Sequence, residues 1–132
     1  SVELILVRDR ASLEALSHCR PAGPGMLAGA DACIVVIGNE NESDVWTEDC
    51  CIAMTQMHLM ADSLGVGSCW VQGRLRPSKE EGRTAEDVVK DLLGIPEGYR
   101  LEAMLALGMP AEEKPARSVE ELRKEMLHCE KF

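Results

Sequence analysis

Residues 45 to 64 constrain this chain more than any other stretch. Trp46, Cys50, Ala53, Met57, Met60 and Leu64 recur at helical spacing. Val45, Ile52 and Leu59 widen the apolar stripe, leaving a narrow polar strip marked by Glu48, Thr55 and Asp62. Ser43 or Asp44 suits the N-cap, and Gly65 suits the left-handed residue that ends the helix. A helix from Val45 to Leu64 that is apolar around most of its circumference carries more apolar surface than one sheet face covers. It must lie at the centre of the domain or share its far side with a second subunit, and the sequence leaves both open.

The segments around that helix alternate. Short apolar or β-branched runs at Glu3–Val7, Ala32–Ile37, Ser68–Val71 and Leu101–Leu107 read as strands. Asp9 caps a short helix from Arg10 to about His18, and Pro21 to Gly25 form a loop. Thr84 caps a helix over Ala85–Leu93, which Gly94 and Pro96 end. Ser118 with Glu121 forms a capping box that opens a final helix to about Cys129. A single domain is expected over the 132 residues. The alternation favours a layered α/β or α+β fold, and pattern alone suggests a doubly wound sheet.

Charge and thiol content narrow the function classes. The formal net charge is −9 and no dense Lys/Arg cluster occurs, which argues against nucleic-acid and anionic-membrane partners. No long apolar run or secretory signal is recognisable, so no membrane segment is expected. Six cysteines are scattered through apolar segments, as Cys33, Cys50, Cys51 and Cys69 show. A chain of this length does not need disulfide staples, so they read as reduced, mostly buried thiols of a cytoplasmic protein. No metal site is expected, because the Cys and His spacing supplies no ligand pairs.

Two segments could carry chemistry. In Gly65-Val66-Gly67-Ser68-Cys69-Trp70-Val71-Gln72-Gly73-Arg74 the glycines come after a helix and lead into a strand, the reverse of a dinucleotide fingerprint. A helix cap with a tight turn explains Gly65 and Gly67 by themselves. Trp70, in a chain with four aromatic residues of the Phe, Trp and Tyr type, keeps a planar ligand open as the alternative. In the second segment, Leu107-Gly108-Met109-Pro110 is followed by Lys114 and Arg117. Two cations after a strand end can hold a phosphate, although solvated pairing with Glu112 and Glu113 is the simpler local explanation. No carboxylate pair or nucleophile–base arrangement stands out, so no catalytic residue is assigned.

Three motifs in order make the chain resemble the FMN-dependent nitroreductase family. These are Gly65-Val66-Gly67-Ser68-Cys69-Trp70 after the long helix, Leu93-Gly94-Ile95-Pro96-Glu97-Gly98-Tyr99, and Ala106-Leu107-Gly108-Met109-Pro110-Ala111. The closing His128-Cys129-Glu130-Lys131-Phe132 is similar to the end of short members. The resemblance implies an α+β sandwich with a mostly antiparallel central sheet, in place of the doubly wound one. It implies an intertwined homodimer through the Val45–Leu64 helix, with FMN at the interface. It places Trp70, Val71, Gln72 and Gly73 along the flavin ring, and Lys114 and Arg117 at its phosphate. The implied reaction is ping-pong: NAD(P)H reduces the flavin, which then reduces a nitroaromatic, quinone or related acceptor. The family's usual N-terminal flavin-binding segments have no counterpart, since the sequence opens at Ser1-Val2-Glu3-Leu4 where they would end. Two alternatives stand beside this reading: a non-catalytic dimeric scaffold that has lost tight FMN binding, and a thiol-based redox or metal protein.

Overall fold

The computed structural model describes residues 1–132. Four strands, β1 (Val2–Val7), β2 (Ala32–Asn39), β3 (Gly67–Gln72) and β4 (Tyr99–Gly108), form one sheet in the order β1-β2-β4-β3. Every hydrogen-bonded pair is antiparallel. The helices are α1 (Arg10–Leu16), α2 (Trp46–Ser63) and α3 (Ala85–Leu93). This is the antiparallel α+β sandwich that the resemblance implies, and it corrects the doubly wound expectation. The physical reason lies in β4. Strands β2 and β3 run parallel and are joined through α2, as in a crossover unit, but β4 inserts between them and pairs with both. Alternation in sequence does not reveal that insertion.

The two faces of the sheet differ. On one, Leu13 and Leu16 of α1, Leu27 of a 3-10 turn over Pro24–Gly29 and Val89 of α3 bury Cys33, Val35, Ile37, Val71, Leu101 and Met104. On the other, Cys50 and Met54 of α2 cover Val36, Ala103 and Leu105. Gly38 makes room for this layer: a Cβ there would lie 2.8 Å from Trp46 Cε3 and 3.1 Å from Cys50 Sγ. The β2–β4 register breaks between Val36, which faces Ala103, and Ile37, which faces Leu101, so Glu102 is the extra residue of a bulge. Leu101 and Met104 therefore join the same core although three residues apart.

Local signals hold at several helix ends. The Asp9 side chain accepts from the Ser12 N–H, Thr84 and Asp87 complete a capping box, and Gly65 adopts φ +70° after α2. Others differ. Neither Ser43 nor Asp44 caps α2: its N-cap is Val45, and the Ser43 hydroxyl accepts from the Val45 N–H at 3.3 Å instead. Within α2 the buried line is Cys50, Met54 and Ala61, while Met60 and Leu64 of the expected stripe are exposed. The final helix is absent. Ser118 and Glu121 do form their capping box, but beyond it the chain makes only two separate 3-10 turns, at Val119–Glu121 and Lys124–Met126. All residues from Met109 onward are exposed, so no packing sustains helical growth there. No helix is long and apolar enough to cross a membrane.

Candidate functional site

Strand β3 is the outer strand of the sheet, so half of its backbone groups have no partner strand. The Gln72 carbonyl oxygen accepts from Arg20 Nη1 at 2.6 Å, a residue outside the sheet. In an antiparallel strand a residue's N–H and C=O point to the same side, and the side alternates along the chain. Gln72, and by alternation Trp70, therefore present backbone groups on the outer edge. A planar heterocycle with donors and acceptors along its rim is complementary to such an edge.

The side chains sort the same way. Trp70 lies on the α2 face, its ring parallel to that of His58 within 6° at a centroid distance of 6.4 Å. His58 Nδ1 is 2.8 Å from Ser68 Oγ. Trp70 Nε1–H donates to Gln72 Oε1 at 2.8 Å, and Gln72 Nε2 donates to Glu102 Oε1 at 3.2 Å. Val71 is buried in the core of the opposite face, and by the same alternation its backbone groups face β4, so neither its side chain nor its backbone opens onto the outer edge. Gly73 is held against β4: its N–H donates to the Glu102 carbonyl at 3.1 Å, and a Cβ there would lie 2.4 Å from Leu101 Cδ2. Only glycine fits. Arg74 donates from its backbone N–H to the same carbonyl at 2.9 Å and lays its guanidinium 5.6 Å from the centre of the Trp46 ring.

Lys114 and Arg117 are exposed on the segment beyond β4. Lys114 Nζ pairs with Glu112 Oε1 at 3.0 Å, and no hydrogen bond or ion pair joins either cation to residues 70–73. That segment leaves the sheet beside Gly67, at the opposite end of β3 from Gly73: the Pro110 ring would lie 3.5 Å from a Cβ on Gly67. The structure thus brings Trp70, Val71, Gln72 and Gly73 together and sets the two cations apart from them.

Sequence reasoning passed over Glu102, Arg74, Arg20 and His58. Glu102 had a visible signal, being the one charge in the apolar run Leu101–Leu107. The thiols sort by burial. Desolvation pushes Cys33 and Cys50 up to about 12, with the Glu102 charge adding to the effect at Cys50. Burial, then the Glu102 charge, also raises Cys51. These three stay protonated and poorly nucleophilic at neutral pH. No group of three His, Cys, Asp or Glu side chains is placed to hold a metal ion.

The antiparallel α+β sandwich with a glycine-pinned, tryptophan-bearing outer strand fits the family resemblance carried by the sequence motifs. The comparisons with known proteins agree. The model of the nitroreductase family matches residues 5–109. An Archaeoglobus fulgidus protein bearing the name "Putative NADH dehydrogenase/NAD(P)H nitroreductase" is 33% identical, over 97% of this chain and 72% of its own length. A Methanothermobacter thermautotrophicus protein of the same name is 30% identical, over 97% of this chain and 64% of its own. The solved structure of an FMN-dependent nitroreductase from Clostridium difficile R20291 superposes with a TM-score of 0.95 at 35% identity, covering 99% of this chain and 76% of that one. The chain belongs to the nitroreductase family of oxidoreductases.

Proposed function

We propose that residues 1–132 form one nitroreductase-like unit that acts as an FMN-dependent NAD(P)H oxidoreductase on nitroaromatic, quinone or related acceptors. The observation that carries this reading is the outer edge of β3 at Trp70–Gly73, where the outward N–H groups of Trp70 and Gln72, a glycine pinned against β4 and an indole ring lie together. Its donor set fits the rim of an isoalloxazine. When bound, FMN supplies hydride acceptance from NAD(P)H and electron delivery to the acceptor. The chain's own part is to bind and orient. The outward N–H groups of Trp70 and Gln72 meet the polar rim, Gly73 lets the end of β3 lie close against Leu101 of β4, and Lys114 and Arg117 are assigned to the phosphate. The names of the Archaeoglobus fulgidus and Clostridium difficile relatives support NAD(P)H and FMN.

The working form in this proposal is a cytoplasmic homodimer joined through α2. Its outward face carries Ile52, Leu59, Met60 and Leu64, exposed by 57–69%. A groove of about 210 Å³ beside it, between α2 and β4, is lined entirely by apolar residues, Met57, Ala61 and Leu105 among them. Such a surface is suited to burial against a second copy.

The test is a titration of purified protein with FMN, read by flavin fluorescence and visible absorption, with oligomeric state measured alongside. The expected result is saturable quenching at about one flavin per subunit, the stoichiometry of one preformed site, followed by NAD(P)H oxidation with a quinone. A folded dimer that binds no flavin would overturn the enzyme reading and assign the chain to the scaffold alternative.

A further inference from the structure

Glu102 is 4% exposed, and it interrupts the apolar run Leu101–Leu107 of β4. Burying a carboxylate has a heavy desolvation cost that an apolar side chain at the same position would avoid. One oxygen, Oε1, accepts from Gln72 Nε2 at 3.2 Å and has the Cys51 thiol 3.9 Å away. The other, Oε2, is buried without a hydrogen-bond partner. Arg74 Nε lies 3.8 Å from it, close enough to count as an ion pair but beyond hydrogen-bond reach. The residue's backbone carbonyl gathers three further donors: the N–H groups of Gly73 and Arg74, and Gln72 Nε2 at 3.3 Å. Every one of these partners except Cys51 belongs to the segment Gln72–Arg74.

We propose that Glu102 is a positioning residue for the end of β3, holding the Gln72 amide in one orientation and, through it, the Trp70 indole. A primary amide has a donor end and an acceptor end of nearly the same shape, and it can turn over unless a neighbour distinguishes them. A carboxylate accepts only. Glu102 therefore takes the NH₂ end of Gln72 and leaves Oε1 to accept the Trp70 indole N–H at 2.8 Å. The main-chain carbonyls of Arg74 and of Glu102 itself also accept from Gln72 Nε2 at 3.3 Å, so the carboxylate is the third and shortest acceptor at that end of the amide, and the only one that a substitution at position 102 removes. A second consequence rests on the flavin reading above. A negative charge held at low dielectric beside the ring-binding edge opposes the addition of electrons to a bound flavin. The half-exposed Arg74 cation offsets this only in part, since its guanidinium is drawn toward Trp46.

The test uses the full chain and two variants, Glu102→Gln and Glu102→Leu. Trp46 and Trp70 are the only tryptophans, so the two indole N–H signals are assigned by Trp46→Phe. Solvent exchange of the Trp70 indole N–H is expected to quicken by roughly three- to tenfold in Glu102→Leu, the change one net hydrogen bond is worth. Glu102→Gln, which keeps the shape but exchanges an acceptor-only group for one that can also donate, is expected to fall between, and the Trp46 signal is expected to stay in place. In FMN-loaded protein, Glu102→Gln is expected to shift the flavin midpoint potential in the positive direction. Unchanged Trp70 exchange in both variants would overturn the positioning role. Altered exchange with an unmoved potential would overturn the charge effect alone. If the wild-type chain takes up no FMN, the proposed function fails, yet the exchange measurement still decides the positioning role. If Glu102→Leu does not fold, the near-isosteric Glu102→Gln carries the test.

Discussion

The two faces of the sheet bury apolar surface to very different degrees. On the α1 and α3 face, Leu13, Leu16, Leu27 and Val89 lie at 0% exposure over the strands. On the α2 face, Ile52, Leu59, Met60 and Leu64 of the helix stay exposed, as do Leu4 and Leu6 of β1. The chain completes one core and leaves the other half-covered. A strand or helix that reads as buried in sequence is therefore of two kinds here. One is buried by the chain itself, and the other is apolar yet left uncovered by these 132 residues.

The largest effect expected from breaking this contrast lies in the completed core. Leu16→Ala removes a fully buried side chain of α1 and should destabilise the fold by about 2–5 kcal/mol in urea unfolding. A loss well under that range would mean that this face repacks and that the two cores are less different than they look.

Gly73→Ala tests the boundary between the faces. Its new Cβ meets Leu101, which belongs to the completed core, at 2.4 Å. The overpacking should cost about 1–3 kcal/mol. FMN affinity should fall with it, because the shifted segment carries the proposed ring-binding edge. Wild-type affinity in that variant would separate the edge from the cofactor.

A smaller effect is expected at the cap of α3, which packs on the completed face. Thr84→Ala should cost about 1 kcal/mol, the usual value of an N-cap side chain. The same box gives a pH dependence. The backbone N–H and hydroxyl of Thr84 donate to Asp87 and hold its carboxyl below the ordinary value of 3.8, and Ser12 does the same for Asp9. A folded-state value below the unfolded one means that this stability is present above about pH 4 and is lost as the pH falls through the folded-state values. Asp87→Asn should flatten the acid limb of a stability–pH curve, and an unchanged limb would remove the cap from the account.

The smallest effect on the fold is expected on the open face. Leu59→Asp changes a residue 69% exposed, so its unfolding free energy as a monomer should move by no more than about 0.5 kcal/mol. Dimerisation measured by sedimentation should be lost. A variant that remains dimeric would place the interface elsewhere and leave the exposed apolar face of α2 unexplained.

Much of the fold is legible in the order of residues alone. Local rules locate all four strands and three of the four expected helices, because Asp9, Thr84, Gly65 and Gly94 terminate elements through contacts a few residues apart. The expected helix after Ser118 fails for the converse reason: its capping box forms, but residues 119–129 are all exposed and nothing packs on them. The site is half legible. Trp70–Gly73 stands out by composition and order, whereas Glu102 shows only as a charge in an apolar run, since its meaning depends on a bulge and on pairing with Gln72, thirty residues away in the chain.

By itself the sequence determined the four strands, the three packed helices, the acidic net charge and the excess apolar girth of the long helix, because those depend on residue type and short-range spacing. Tertiary structure alone decided that β4 enters between β2 and β3. It also decided that Met54 rather than Met60 faces the sheet, and that a buried carboxylate stands behind the end of β3. Each of these is fixed by pairing between segments far apart in the chain, where the balance of burial and hydrogen bonding is set by the whole sheet rather than by any local run.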